Sequence, residues 1–143
     1  MKTKLTSGVS VVLAVLLVFC FASCGKKVDK TGLWEKATYL SDTTLGKGAK
    51  TLSVEVKAEE QSVLFTVKTD EATVGAALLA VDLIAGEEGT YGLYVKKVNG
   101  ITADYNTDQA YWAFYINGEY ASTGVDSTDL DENAAYSLVY TKG

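Results

Sequence analysis

Hydrophobic and polar residues alternate in several short runs of the chain, and alternation is the period of a half-buried β-strand. The two earliest runs cover residues 52–57 and 63–68, and the short polar connection between them predicts a β-hairpin. Residues 33–50 show no clear period, so no firm element is predicted there. Three later runs, rich in aromatic and β-branched residues, predict further strands at residues 91–98, 111–116 and 136–140.

Between the second and third strands the hydrophobic period changes to that of an α-helix. Thr69, Asp70 or Thr73 can cap its N-terminus, and Gly86 is the expected stop at its C-terminus. Two strands, one helix and three or more strands predict an α+β fold, a small and mostly antiparallel sheet with one packed helix. This order resembles a β-grasp. The apolar stripe of the helix consists of Val74, Ala77, Leu78, Val81 and Ile84.

Two Asn-Gly pairs predict tight hairpin turns. Asn99-Gly100 closes the first of the aromatic strands, and Asn117-Gly118 closes the second. Asn and Gly are favoured here because both central residues of a type I′ turn need a positive φ.

The strand that precedes the second turn has two different faces. Trp112, Phe114 and Ile116 alternate onto one face, which is expected to form the core together with Leu78 and the rest of the helix stripe. The other face carries tyrosines around a small alanine. That pattern fits either an ordinary outer sheet face or a shallow floor for a flat ligand or a partner protein. The candidate ligand-binding residues are Tyr111, Tyr115 and Tyr120, with Tyr105 and Asn106 from nearby loops.

The beginning of the chain has the pattern of an export signal. Lys2 and Lys4 precede an apolar run at residues 9–21, which is long enough for a signal peptide and short for a membrane-spanning helix. The run ends in Phe-Ala-Ser-Cys, which resembles a bacterial lipobox and predicts lipidation of Cys24. The predicted layout is a lipoprotein signal peptide at residues 1–23, a tether with an irregular N-terminal segment at 24–49, and one domain at 50–143.

Composition excludes several classes of active site. The chain has no histidine and no arginine, and its two cysteines, Cys20 and Cys24, belong to the signal region. Catalysis by histidine or by a cysteine–histidine pair, and zinc sites with those ligands, are therefore excluded, and no enzyme activity is expected. Eighteen acidic residues against thirteen lysines give a net charge of −5, which argues against a nucleic-acid partner.

An acidic loop near the C-terminus is a second candidate site. Calcium prefers several oxygen ligands, and three carboxylates lie close together in the sequence, although their spacing is not that of an EF-hand. The loop is interpreted either as a calcium-type site or as a solvated loop that protects a sheet edge. The candidate metal ligands are Asp126, Asp129 and Asp131.

Residues 91–118 resemble a known family. They begin with YGLYVKKVNGI and end with YWAFYING, and upstream lies TVGAAL at residues 73–78. These motifs are similar to the C-terminal domain of transcobalamin and intrinsic factor, and to bacterial relatives of that domain on surface lipoproteins. The similarity covers residues 51–141. It implies a small β-rich domain with one helix, which in the vertebrate carriers forms one wall of a cobalamin site.

These observations predict a membrane-anchored extracellular binding module without catalysis, held at the cell surface by lipid on Cys24. It is expected to contribute one wall of a site for a corrinoid-like or other small ligand, and calcium is the other candidate cofactor. The alternatives are a protein-interaction or adhesion domain with no small ligand, and a domain that binds hard cations. The expected partners are the membrane and another surface protein.

Overall fold

A computed structural model describes residues 27–143, so Cys24 and the predicted signal peptide lie outside the described residues. Within this part of the chain, no helix is both long and apolar enough to cross a membrane. The strands are β1 (Thr43–Gly46), β2 (Lys50–Ala58), β3 (Gln61–Thr69), β4 (Ile84–Gly89), β5 (Gly92–Val98), β6 (Ile101–Thr102), β7 (Ala110–Ile116), β8 (Glu119–Tyr120) and β9 (Ala135–Lys142). The helices are α1 (Val74–Ala80) and α2 (Tyr105–Asp108), and 3₁₀ turns cover Gly32–Lys36 and Val125–Ser127.

Six strands form one mixed sheet in the order β1-β3-β2-β9-β7-β8. The predicted hairpin is β2 and β3, with Glu59 in its turn at a φ of 55°. The last strand, β9, runs parallel to β2 and antiparallel to β7, so it connects the first hairpin to the aromatic strand. The predicted α+β class is confirmed. The large sheet is mixed, because β1 pairs in parallel with β3 and β9 pairs in parallel with β2. The likeness to a β-grasp stays a prediction.

A second, antiparallel sheet in the order β4-β5-β6 covers part of the first. The hydrophobic core lies between one face of the six-stranded sheet and a layer formed by this small sheet and α1. Every second residue of β2 and β3 points into that core, including the fully buried Leu52, Val54 and Phe65. The sequence predicted one sheet, since periodicity shows which residues are strands but not how strands divide between layers.

The apolar face of β7 lies in this core. Trp112 and Phe114 are buried, and Ile116 is partly buried against the same cluster. The small sheet covers the indole, whose Nε1 donates a hydrogen bond to the carbonyl of Ile101 at 3.1 Å. The helix α1, with Leu78 fully buried, instead packs mainly against β3, β4 and the second 3₁₀ turn.

Residues 27–49 pack against the domain, which corrects the expectation of a tether and an irregular segment without firm elements. Trp34 in the first 3₁₀ turn is fully buried, and its Nε1 donates a hydrogen bond to the carbonyl of Ala58 at 3.0 Å. Strand β1 adds an edge to the large sheet. Hydrophobic periodicity missed β1 because Leu45 is the one large apolar residue among its four positions.

Helix α1 is shorter than its apolar stripe predicts. Thr73 is the N-cap, since its Oγ1 accepts a hydrogen bond from the backbone N–H of Ala76 at 3.2 Å. The helix ends at Ala80, and Asp82 then takes a left-handed conformation with a φ of 56° that redirects the chain.

The residues predicted to finish the helix belong to β4 instead. Ile84 is buried at the start of that strand, and Gly86 lies at a β-bulge opposite β5. A Cβ added to Gly86 would lie 2.0 Å from the carbonyl oxygen of Tyr94. The prediction that Gly86 stops the helix is therefore wrong, because this glycine permits the close approach of two strands.

Both Asn-Gly pairs form the predicted turns. The φ values are 51° at Asn99 and 82° at Gly100, and 52° at Asn117 and 82° at Gly118. The first pair joins β5 to β6 and the second joins β7 to β8. Positive φ at both positions is what a type I′ turn requires.

Candidate functional site

The tyrosine face of β7 is closed. Tyr111 and Tyr115 are half-buried, and Ala113 between them is only 1% exposed. Across the strand pair, Ala113 lies opposite Val139 of β9. The open floor predicted at this alanine is therefore missing, because neighbouring side chains cover it.

Four of the predicted ligand residues nevertheless lie close together. The ring centroids of Tyr115 and Tyr120 are 5.6 Å apart, with 33° between the ring planes. Burial raises the pKa of Tyr111, and the phenols of Tyr120, Tyr115 and Tyr105 raise it further. An electrostatic effect from all three requires that they lie near Tyr111. We call Tyr105, Tyr111, Tyr115 and Tyr120 the tyrosine cluster.

Tyr105 and Asn106 lie on the one-turn helix α2, and not in a loop as expected. Asp104 caps this helix, since its Oδ1 accepts a hydrogen bond from the backbone N–H of Asn106 at 2.9 Å. A Cβ added to Gly143 would lie 3.2 Å from the ring of Tyr105 and 3.6 Å from the ring of Tyr111. The helix thus holds Tyr105 beside the end of β9, next to the rest of the cluster.

A cleft of about 280 Å³ opens beside the tyrosine cluster, and we call it the edge cleft. Strand β8 pairs only with the last two residues of β7, so the cleft adjoins the part of β7 that β8 leaves free. Tyr111 and Tyr120 belong to both the cluster and the cleft. The other walls include Leu93 and Tyr94 of β5, Trp112 and Phe114 of β7, and Ser122 and Thr123 of the loop after β8.

Hydrogen bonds order the loop that forms one wall of the edge cleft. The backbone N–H of Ala121 donates to the carbonyl of Phe114 at 2.9 Å. Thr128 donates through Oγ1 to the carbonyl of Gly124 at 2.8 Å, and the same Oγ1 lies 3.0 Å from Oγ1 of Thr123. The wall is therefore formed before any ligand arrives, which lowers the entropy lost on binding.

Asp126 lies behind this wall, next to the start of β5. Its Oδ2 accepts a hydrogen bond from the backbone N–H of Leu93 at 3.0 Å. Its Oδ1 is buried and has no hydrogen-bond partner within the described chain. A Cβ added to Gly124 would lie 3.2 Å from Oδ1, and one added to Gly92 would lie 2.7 Å from Oδ2. A buried carboxylate oxygen without a donor is costly, and a nearby positive charge reduces that cost.

The three acids predicted as metal ligands serve separate local roles. Asp126 binds the backbone of β5, Asp129 forms a β-bridge with Thr73, and the Oδ1 of Asp131 accepts the N–H of Asn133 at 2.9 Å. Among residues 27–143, no three acidic side chains are grouped in a way that could hold a metal ion. The predicted trio is therefore corrected: sequence proximity did not bring these carboxylates to one point.

Sequence reasoning missed half of the edge cleft. Leu93 and Tyr94 were assigned to a strand, but nothing local indicates that this strand belongs to a second sheet facing β7. The run Ser122-Thr123-Gly124 has the composition of a loop, so a loop at these residues could have been predicted from the sequence. Where the loop folds back could not be deduced, because that depends on contacts with β5 and Asp126.

Comparison with known proteins identifies relatives of this domain. A family model described as a domain of unknown function, DUF4430, matches residues 71–136. A crystal structure from Ruminococcus gnavus, of a protein provisionally described as metal-binding, is 30% identical, with a TM-score of 0.62 over 66% of this chain and 99% of that one. Haptocorrin in complex with Cbi is 20% identical, with a TM-score of 0.51 over 65% of this chain and 25% of haptocorrin. Curated protein sequences provided no match.

The likeness to haptocorrin is one of fold, and this chain corresponds to about a quarter of that protein. The likeness to the R. gnavus protein extends over nearly all of that chain. The region matched by the family model runs from α1 into β9, and it contains the tyrosine cluster and most of the edge cleft. The chain therefore belongs to the DUF4430 family of transcobalamin-like domains.

Proposed function

We propose that this chain is a binding module without catalysis, and that its ligand occupies the edge cleft against the tyrosine cluster. The observation that carries this proposal is the meeting of apolar strand residues, four tyrosines and an ordered polar loop at one edge of the sheet. Ligand sites in proteins combine mostly apolar walls with a few well-placed polar groups. Tyrosine suits such a site because its amphipathic ring loses little conformational entropy on binding.

The relatives support a binding role of this kind. One is provisionally described as metal-binding, and the other was crystallised with Cbi. A corrinoid-like ligand is the expectation from the transcobalamin resemblance. A cleft of about 280 Å³ is at the lower limit of small-molecule pockets, so it would hold one edge of a ligand that large. A second surface protein would then supply the opposite wall.

The proposed location is the outer face of the cell membrane, through lipid on Cys24. The packed domain begins close to that residue, since Lys27 already forms a β-bridge with Ser41. Three chain steps separate Cys24 from Lys27, a reach of roughly 11 Å. A short connection of this kind would keep the domain near the membrane surface. Mass spectrometry of the exported protein and of a Cys24→Ser variant tests the anchor, because the substitution should abolish the lipid adduct.

A β-grasp-like arrangement is part of the same proposal. It is supported by the chain order, in which the β2–β3 hairpin is followed by α1 and then by β7 and β8. It is also supported by the parallel pairing of the final strand β9 with β2 near the middle of the large sheet.

Isothermal titration of the full chain with a corrinoid, haem and calcium tests the binding role. Tyr120→Ala and Tyr111→Ala should each weaken binding of a cleft ligand about tenfold, because aromatic anchors dominate such sites. Tyr91→Ala is the matched control, since Tyr91 is 96% exposed and does not line the cleft.

Three other results have distinct meanings. Equal affinities in all variants would move the ligand away from the edge cleft. Calcium binding that ignores both tyrosines would favour the hard-cation alternative. No binding across the panel, together with capture of a surface protein that depends on Tyr120, would favour the protein-interaction alternative.

A further inference from the structure

We propose that the edge cleft selects ligands that carry an organic cation, such as a quaternary ammonium group. This inference rests on the proposed function, because it names the ligand chemistry of the same cleft. It is carried by the aromatic walls, the absence of a lysine among the lining residues that the structure describes, and the carboxylate of Asp126 behind one wall.

Three tyrosines contribute to the walls of the edge cleft: Tyr94, Tyr111 and Tyr120. Tyr94 and Tyr120 are 42% and 64% exposed, so neither residue is closed off from solvent. The face of an aromatic ring carries partial negative charge, and several rings around one space attract cations, above all those with a diffuse charge and an apolar surface.

The charge around the cleft has the sign that a cation requires. None of the described lining residues is a lysine, and the nearest lysine along β5, Lys96, is two positions from Tyr94. Its Nζ lies 3.7 Å from Oε1 of Glu87 and 4.0 Å from Oδ2 of Asp104, so its charge is partly balanced.

Asp126 makes this negative potential local to the cleft. Leu93, which lines the cleft, donates its N–H to Oδ2, and a Cβ added to Gly124, another lining residue, would lie 3.2 Å from Oδ1. Because Oδ1 has no donor within the described chain, less of the negative charge is offset by the protein. A positive charge in the cleft would be attracted to it, and this attraction is stronger near a buried carboxylate oxygen than in bulk water.

An organic cation fits these walls better than an inorganic one. Hard cations require several oxygen ligands in direct contact, and the buried Oδ1 is not open to such contact. A quaternary ammonium ion needs no hydrogen-bond acceptor, and its methyl groups pack against apolar side chains such as those of Leu93 and Phe114.

Choline and its neutral isostere 3,3-dimethyl-1-butanol separate the charge from the shape of the ligand. Both are titrated into the full chain by calorimetry at low ionic strength. Choline is expected to bind about tenfold tighter than the alcohol. Tyr120→Phe should retain most of this preference, because the ring face remains, whereas Tyr120→Ala should reduce it.

Asp126→Asn is the decisive variant, because asparagine keeps the shape and can still accept the N–H of Leu93 while it removes the charge. It should lower the affinity for choline several-fold and leave the affinity for the alcohol unchanged. The matched control is Glu119→Gln, which removes an exposed charge and should change choline affinity less than twofold. Thermal unfolding of each variant checks that the fold persists. If Asp126→Asn does not fold, Asp126→Glu replaces it, because the longer side chain displaces the charge. Asp126→Glu should change the affinity for choline and leave the affinity for the alcohol unchanged.

Equal affinity for choline and the alcohol would overturn the inference and leave the proposed binding site intact. A choline preference that survives both Asp126 variants would overturn the role of Asp126 in it. If neither probe binds, the cation inference fails, and the proposed function is judged separately by the corrinoid, haem and calcium titrations.

Discussion

The two Asn-Gly turns have the same backbone conformation and very different surroundings. Asn99 is 1% exposed, and its side chain accepts a hydrogen bond from the N–H of Tyr39 and donates one to the Tyr39 carbonyl, both at 2.9 Å. Asn117 is exposed, and its Oδ1 accepts one hydrogen bond, from the N–H of Ala135 at 2.9 Å. The same local signal therefore makes a buried junction in one place and a surface hairpin in the other.

The two turns differ in the chain segments that pack against them. The carbonyl of Asn99 accepts the N–H of Thr38 at 2.9 Å, and its N–H donates to the carbonyl of Leu83 at 2.8 Å, so the first turn joins the N-terminal segment to the small sheet. The second turn lies beside the edge cleft and contacts one neighbouring segment through Ala135. A type I′ turn is a local property, whereas its contribution to stability depends on distant contacts.

The largest expected effect comes from the residue that links the two hairpins. Trp112 precedes the second turn, and its indole binds the carbonyl of Ile101, which directly follows the first turn. Trp112→Ala should lower the free energy of unfolding by about 3–5 kcal/mol, because it removes a buried ring and leaves that carbonyl unpaired. Urea denaturation measures the change, and Tyr91→Ala should change it by less than about 0.5 kcal/mol. A loss below about 1.5 kcal/mol for Trp112→Ala would show that the hairpins do not depend on this residue.

The glycines of the two turns should differ next. Gly100 and Gly118 share a φ of 82°, so alanine at either position meets the same backbone strain of about 1–2 kcal/mol. A Cβ at Gly100 would also lie 2.5 Å from the carbonyl oxygen of Lys36, whereas nothing lies within 4 Å of one at Gly118. Gly100→Ala should therefore be more destabilising than Gly118→Ala by about 1–3 kcal/mol in the same denaturation experiment. Equal losses would mean that the N-terminal segment moves aside freely.

The asparagines should show a smaller difference in the same direction. Asn99→Ala leaves both backbone groups of Tyr39 without their partners in a partly buried region, at a cost of about 2–3 kcal/mol. Asn117→Ala removes one hydrogen bond that water can replace, at a cost of about 1 kcal/mol. The free energies of unfolding of the two variants, compared with Asn→Gly at each position, separate the side-chain bonds from the turn conformation.

The smallest effect concerns pH and the strand that enters the second turn. Burial raises the pKa of Tyr111 in the folded protein above its usual value of 10.0. The corresponding stabilisation is fully present below pH 10 and is lost as the pH rises through the folded pKa, because the unfolded chain releases the phenolic proton first. Tyr111→Phe should therefore reduce the alkaline loss of stability above pH 10, measured as the denaturation midpoint against pH. The exposed Tyr91→Phe is the control, and an identical effect from it would contradict this interpretation.

Much of the fold could be predicted from local patterns. Alternation located β2 and β3, aromatic and β-branched composition located β5, β7 and β9, and Thr73 was among the expected caps of α1. Both turns followed from the φ preferences of asparagine and glycine. These features depend on neighbours in sequence, and such neighbours are visible without a structure.

The missed features depend on contacts between distant parts of the chain. Trp34 lies in a segment without hydrophobic periodicity, yet it is fully buried and donates a hydrogen bond to the carbonyl of Ala58 at the end of β2. Gly86 was predicted to stop the helix, because the contact that requires a glycine there, a close approach to Tyr94, involves another strand and is not visible in the local sequence. For the candidate site, Tyr111 and Tyr115 were identified from their strand, and Tyr105 and Tyr120 as residues near it. The opposite wall of the edge cleft was not identified. That wall comes from a second sheet, and Ala113 is covered rather than open.

The exposure of the second turn also determines how the molecule ages. The backbone nitrogen of a glycine can attack the side-chain amide of a preceding asparagine, which expels ammonia and forms a succinimide that water opens to aspartate or isoaspartate. Asn117 is open to water and loosely held, whereas Asn99 is fixed by four hydrogen bonds, so stored protein should accumulate this damage at residue 117. Each event would place a new negative charge beside Glu119. Peptide mass mapping after incubation at mildly alkaline pH would measure the fraction of residue 117 that has been converted, which should rise slowly with storage time.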